Sequence, residues 1–257
     1  MRRAALAAGA LFLVAACGGG GKKLAVTSTT TTARPTTTST TTSTTSTSTT
    51  VVTTTPAPTA PPVTAAPPAT DAAPVPPFAS SIATVTAADL GASWHDGCPV
   101  GPEALRMLTV SFVGFDGAAH TGRIVVNADV ADGVVDVFRQ LYDAGFPLHD
   151  VKPIVTQADY DDYETPASTG FSCRDALGGS GWSQHAYGHA IDINPVENPY
   201  VQGGTVTPSA GAAYTDRSAV RPGMVVSGGV VVRAFRSIGW GWGASFQDYQ
   251  HVSTTGT

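Results

Sequence analysis

Residues 174–194 read RDALGGSGWSQHAYGHAIDIN, and the local conformation of this stretch decides the fold and the chemistry of the chain. Two readings compete for its histidines. His185 and His189 are four apart, the spacing that puts two imidazoles on one face of a metalloprotease helix. That helix needs a glutamate after the first histidine, where Ala186 stands, and Gly188 weakens helix there. The helical reading fails. A period of two works instead: Ile191 and Ile193 are apolar and alternate with Asp192 and Asn194. On a strand both isoleucines enter a core and Asp192 turns to the opposite face. Gly188 permits a sharp turn just before, so that His185 reaches back over that face. An imidazole and a carboxylate brought together in this way are N and O donors suited to zinc. A catalytic zinc takes three protein ligands and keeps one position open.

The third ligand has to come from elsewhere. The chain has six histidines, and the last lies in Asp248-Tyr249-Gln250-His251, after the glycine- and tryptophan-rich run Gly239-Trp240-Gly241-Trp242-Gly243. An acid three residues before a ligand is placed to take a proton from an attacking water. His95, His120, His149 and His189 read as surface histidines, and Trp240 and Trp242 as core.

Around these motifs the pattern is mixed. Leu108 to Val113 and Arg123 to Val126 read as strands joined through the turn Phe115-Asp116-Gly117. Asp129 or Asp132 is expected to cap a helix with apolar positions Val134, Phe138, Leu141 and Tyr142, stopped by Gly145 and Pro147. Pro153 to Val155 reads as a short strand, followed by a polar loop from Tyr160 to Gly170. Ser227 precedes a second amphipathic helix through Val231, Ala234, Phe235 and Ile238, ended by Gly239. Strands and helices without regular alternation imply an α+β fold with an antiparallel sheet.

The N-terminal third is different in kind. Arg2 and Arg3 precede an apolar run from Ala4 to Ala16, too short for a transmembrane helix, and the run ends in Leu13-Val14-Ala15-Ala16-Cys17. Residues 1–17 therefore read as a signal peptide. Small residues before Cys17 resemble a lipobox, in which the cysteine becomes the lipidated N-terminus; an ordinary signal peptide is the alternative. Residues 18–79 are dominated by Thr, Ser, Pro and Ala and cannot bury enough apolar surface to offset their ordering entropy, so a disordered linker is expected. Residues 80–257 are long enough for one domain. With the leader and linker set aside the chain carries nine basic and 18 acidic residues, a balance that repels nucleic acid. Cys98 and Cys173 are the two cysteines of this domain, and export permits a disulfide between them; thiolate ligation of a metal is the competing use.

Ser183-x-His185-x-x-Gly188-x-Ala190-x-Asp192, with Asp248-x-x-His251 downstream, resembles the M15 zinc metallopeptidases. These include D-alanyl-D-alanine carboxypeptidases, D,D-dipeptidases of vancomycin resistance and L-alanyl-D-glutamate endopeptidases. Arg174, Asn194-Pro195, Asn198-Pro199-Tyr200 and the Gly-Trp-Gly-Trp segment are most similar to the last of these branches. The resemblance implies a small antiparallel sheet with flanking helices around one zinc site, the hedgehog and DD-peptidase type of fold. It implies one Zn2+ on His185, Asp192 and His251, with Asp248 as general base. Arg174 would hold the oxyanion or a substrate carboxylate, and Ser183 would support the site by hydrogen bonding. Two positions depart from the pattern: Gln250 and Val252 stand where an aromatic residue is common, and His189 is unusual at its place. The implied substrates are peptidoglycan stem peptides, and whether the enzyme is an endopeptidase or a carboxypeptidase stays open. The implied protein is a monomer outside the cytoplasm, held to the membrane through a lipid on Cys17. A wall-binding module without turnover, or a zinc-stabilised interaction domain, is the rival reading.

Overall fold

The computed structural model describes residues 76–177 and 179–256; Cys17, the signal segment and the linker as far as residue 75 lie outside the described residues. The hairpin expected around Phe115-Asp116-Gly117 is present and longer than its apolar stretches suggested. It joins β2 (Leu105–Gly114) to β3 (Ala119–Asn127) after β1 (Ser80–Thr84) and the single-turn helix α1 (Ala87–Leu90). The three strands form an antiparallel sheet in the order β1-β2-β3, and β4 (Pro147–Leu148) adds a short parallel pairing at Val113 and Gly114.

Both faces of the β2–β3 hairpin are covered, because alternate residues serve two apolar clusters. Leu108, Val110, Phe112, Ile124 and Val126 pack with Val134, Phe138 and Leu141 of α2 (Ala131–Asp143) and with Val231 and Phe235 of α4 (Val230–Ser237). Leu105 and Val125 face the other way, onto Leu90, Phe171 and Cys173. Between α2 and α4 lie α3 (Gln157–Asp161), β5 (Ala190–Asp192) and a small hairpin of β6 (Tyr200–Gln202) and β7 (Thr205–Thr207). A second antiparallel sheet pairs β5 with β9 (His251–Ser253), and β9 with β8 (Gly241–Trp242). The architecture is α+β, as the unalternating pattern implied. Among the described residues no helix is long and apolar enough to cross a membrane.

Two local expectations are corrected. Neither Asp129 nor Asp132 caps α2: its N-cap is Val130, without a side-chain bond, and the Asp129 carboxylate lies 2.9 Å from His189 Nε2. Pro153 to Val155 is not a strand; the Val155 carbonyl instead accepts from Ala92 N at 2.7 Å, where Gly91 lets the backbones meet. The second amphipathic helix follows Ser227 as expected: α4 starts at Val230 behind Gly229, with Gly228 at φ +69 in the turn into it.

Cys98 and Cys173 are joined by a disulfide across a sequence separation of 75, within the second apolar cluster. A loop of that length predicts stabilisation on the order of 4 kcal/mol in the chain-entropy account. Reduction is therefore expected to lower the denaturant midpoint clearly. The bond also fixes the backbone leading into Arg174, the residue after Cys173. A midpoint that does not move on reduction, read by tryptophan fluorescence, would refute the stabilising role.

Candidate metal centre

The second sheet places two of the expected donors by register alone. Asp192 on β5 and His251 on β9 are directly opposite across the antiparallel pair, and cross-strand partners share a face. Their neighbours Ile191 and Val252 are also paired and fully buried, with Ile193, in the main core. The alternation read from Ile191 and Ile193 thus sends Asp192 and His251 together to the outer face.

His185 arrives from a different element. It lies in a short 3₁₀ helix, Gln184–Tyr187, whose N-cap Ser183 accepts a hydrogen bond from the His185 backbone N–H at 3.3 Å. The helix ends at Gly188, φ +71, where a Cβ would stand 2.5 Å from Asn127 N. No other residue fits this turn. Asn127, at the end of β3, secures it by donating from its backbone to Gly188 O and from its side chain to Tyr187 O, both at 2.9 Å. The His185 ring is oriented from behind, Nδ1 donating to the Gly170 carbonyl at 2.7 Å. Gly170 is itself obligatory, since a Cβ there would lie 2.3 Å from Val125 O. Thr169 completes the frame by exchanging both backbone hydrogen bonds with Asp192.

The three donors converge. His185 Nε2 is 3.1 Å from His251 Nδ1 and 3.3 Å from Asp192 Oδ2, and His251 Nδ1 is 3.3 Å from Asp192 Oδ1. Ligands at about 2.0–2.1 Å from a tetrahedral zinc are separated by an edge of about 3.3 Å, so the spacing fits that ion. The electrostatics fit too. Burial holds His185 below its usual range and leaves it neutral. Burial also opposes charge on Asp192, but contacts with His185 and His251 outweigh it and hold the carboxyl well below the usual range. A cation bound by the three donors would take the place of the hydrogen bonds that now hold the Asp192 carboxylate between the two imidazoles. A second group, His95, Cys98 and Cys173, is equally close together, but its sulfurs are bonded to each other and unavailable as thiolates.

Asp248 stands beside this triad. Its backbone N–H donates to Gly243 O, and Tyr200 pairs with it in a β-bridge. A Cβ on Gly243 would lie 2.8 Å from Asp248 O and 3.4 Å from the His251 Cβ, so the glycine makes room for both. The neighbouring tryptophans have different tasks. Trp240 is buried in the main core, and Trp242 donates its indole N–H to Tyr249 O at 2.8 Å, tying down the loop. Asp248 Oδ1 is buried with no hydrogen-bond partner among the described residues. Burial, reinforced by the negative Asp192, pushes the Asp248 carboxyl up to about 7. A cation in the triad acts in the opposite direction and favours the carboxylate.

A two-lobed cleft opens over the site. The larger lobe, about 300 Å³, includes Asp248 and His251 and has an apolar rim of Leu177, Trp182 and Phe246. The smaller, about 110 Å³, includes His185 and Asp192 and is lined by hydroxyls and charges, among them Lys152, Asp159 and Tyr160. Arg174, Leu177 and Tyr200 belong to both lobes. Leu177 and Phe246 are more than half exposed, although apolar. Sequence reading selected Arg174, Ser183, His185, Asp192, Asp248 and His251 as candidates, and the structure places all six about one cleft. Sequence reading gave no site role to Gly170 or Lys152; Gly170 offers a carbonyl, which has no sequence signature, and Lys152 lies far from the donors in the chain.

Residues 177–254 match the family model described as D-alanyl-D-alanine carboxypeptidase, of the peptidase M15 group. The match takes in the three donors and Asp248 and supports a peptidase M15 hydrolase. No curated protein and no solved structure matches the chain.

Proposed function

We propose that the chain is a zinc-dependent peptidase that hydrolyses peptide bonds in the stem peptides of peptidoglycan. The observation that carries this reading is the convergence of His185, Asp192 and His251 beside a buried Asp248 whose Oδ1 has no partner among the described residues. A zinc ion held by the triad would supply the Lewis acidity that activates water and polarises a carbonyl. Asp248 takes the proton of the attacking water and returns it to the departing amine, a role suited to a carboxyl poised near neutral pH. Arg174, on the wall shared by both lobes, stabilises the negative charge that develops on the carbonyl oxygen. Ser183 holds the turn that presents His185.

The cleft favours an internal bond. Its two lobes share Arg174, Leu177 and Tyr200 and divide the triad between them, so a chain can continue on either side of the scissile carbonyl, which suits an endopeptidase of the L-alanyl-D-glutamate type better than a carboxypeptidase. In the same reading residues 1–17 direct export, Cys17 carries the lipid anchor, and residues 18–79 tether the monomeric catalytic domain, residues 80–257, outside the cytoplasm. The rival is a wall-binding module without turnover. A buried, partnerless carboxylate oxygen at the mouth of a donor triad counts against it, because a pure binding site would satisfy or remove that atom.

Digestion of purified peptidoglycan by the zinc-loaded protein tests the proposal. New amino termini within the stem peptide, identified by mass spectrometry, are the expected result. Release of terminal alanine alone would replace the endopeptidase by a carboxypeptidase, and no release of any fragment would remove the enzymatic reading.

A further inference from the structure

The smaller lobe contains a cation that the catalytic scheme does not use. Lys152 is the only lysine after residue 23, in a segment with twice as many acids as bases, and it lines the lobe that holds His185 and Asp192. Its position relative to the triad is fixed through the backbone. Val151 bridges to Ser168, the Lys152 N–H donates to Ser168 O at 3.2 Å, and the next residue, Thr169, brackets Asp192. Lys152 therefore stands one backbone segment away from a metal donor.

Its side chain is held in place without being consumed. Nζ donates to Asp159 Oδ1 at 3.2 Å, while Asp159 Oδ2 is fixed by the Thr156 backbone N–H at 3.0 Å and its hydroxyl at 2.7 Å in the capping box of α3. Those bonds hold the Asp159 carboxyl down at about 2, so the anchor stays charged. An ammonium has three donors and no acceptor, and one donor is engaged in these contacts. The side chain is 39% exposed within the cleft. What such a group receives best is an anionic oxygen.

We infer that Lys152 is a specificity residue that receives a substrate carboxylate in the smaller lobe, so that the preferred substrate carries a free carboxylate to one side of the cleaved bond. The inference rests on the peptidase reading above. Stem peptides carry carboxylates that occur free or amidated, and amidation removes the charge while keeping the shape. A domain with an acidic surround repels an anionic substrate at a distance, which makes a local cation in the cleft the feature that selects it.

The test uses the zinc-loaded full chain and two synthetic stem peptides that differ only in whether those carboxylates are free or amidated. The wild type is expected to cleave the free-carboxylate peptide with kcat/KM about tenfold higher, the difference lying in KM, as one charge-assisted hydrogen bond provides. Lys152→Met should abolish that ratio and Lys152→Arg should keep it. Thermal melting checks that both variants fold, which is expected because an exposed ion pair contributes little to stability. A ratio unchanged in folded Lys152→Met, a wild type indifferent to amidation, or loss of the ratio in folded Lys152→Arg overturns the inference alone. If Lys152→Met does not fold, Lys152→Gln takes its place under the same criterion. A wild type that cleaves neither peptide, nor any wall fragment, overturns the peptidase reading and this inference with it.

Discussion

His251→Ala and His185→Ala are each expected to leave the purified domain without stoichiometric zinc and without measurable hydrolysis. The expectation follows from how the triad is assembled. Asp192 and His251 are cross-strand partners, and His185 closes the group from the 3₁₀ turn, with all contacts among the three at 3.1 to 3.3 Å. Removing one imidazole leaves two donors, where a catalytic zinc needs three protein ligands, so affinity should fall by more than the roughly 100-fold that loss of a mere hydrogen-bond partner of a ligand can cost. The scaffold should survive. Val252, next to His251, is a core residue of β9 and is untouched, and Ser183 still caps the turn that carries position 185. The checks are metal content after dialysis against a weak chelator, and circular dichroism of the same samples. Full zinc in both variants would send the metal elsewhere in the chain. Loss of zinc together with loss of fold in His251→Ala alone would make the ion a structural staple of the second sheet.

That result depends on features which the sequence revealed unevenly. The alternation of Ile191, Asp192, Ile193 and Asn194 was legible because a half-buried strand writes its burial pattern with period two. Gly188 was legible because a turn between two site residues needs a left-handed φ, and the structure gives +71. The pairing of β5 with β9 was not legible. Nothing in a stretch of about 60 residues says which short strands will be neighbours; the spacing of Asp248 and His251 made the histidine a candidate ligand, and the resemblance joined it to Asp192. The cap of α2 was misassigned for a related reason: Asp129 suits a cap by residue type, but its carboxylate is claimed by His189, which is adjacent only in the fold. Gly170 shows the limit most clearly. It acts through its carbonyl on His185 and through the missing Cβ against Val125, and neither property is written in a residue pattern.

Asp248→Asn is expected to keep the zinc and the fold while hydrolysis falls by about 10²-fold or more, since the amide is nearly isosteric but cannot accept a proton. Asp248 is outside the donor triad, so metal content should equal that of the wild type. Stability should move in the opposite direction from activity. In the metal-free protein burial raises this carboxyl from 3.8 to about 7, so the folded state holds its proton more tightly than the unfolded chain does. Folding is then progressively penalised as pH rises from about 4 to about 7, and the penalty is fully present above that. A neutral asparagine does not incur it. The melting temperature of metal-free Asp248→Asn at about pH 8 should therefore equal or exceed that of the wild type, a stability gained where function is lost. This pairing of opposite effects separates a catalytic base from a residue that merely supports the loop, because a supporting residue would lose stability and activity together. Equal inability of wild type and Asp248→Asn to cut any wall fragment, with both holding zinc, would favour the binding module. A variant that hydrolyses at the wild-type rate would transfer the proton work to another group at the cleft.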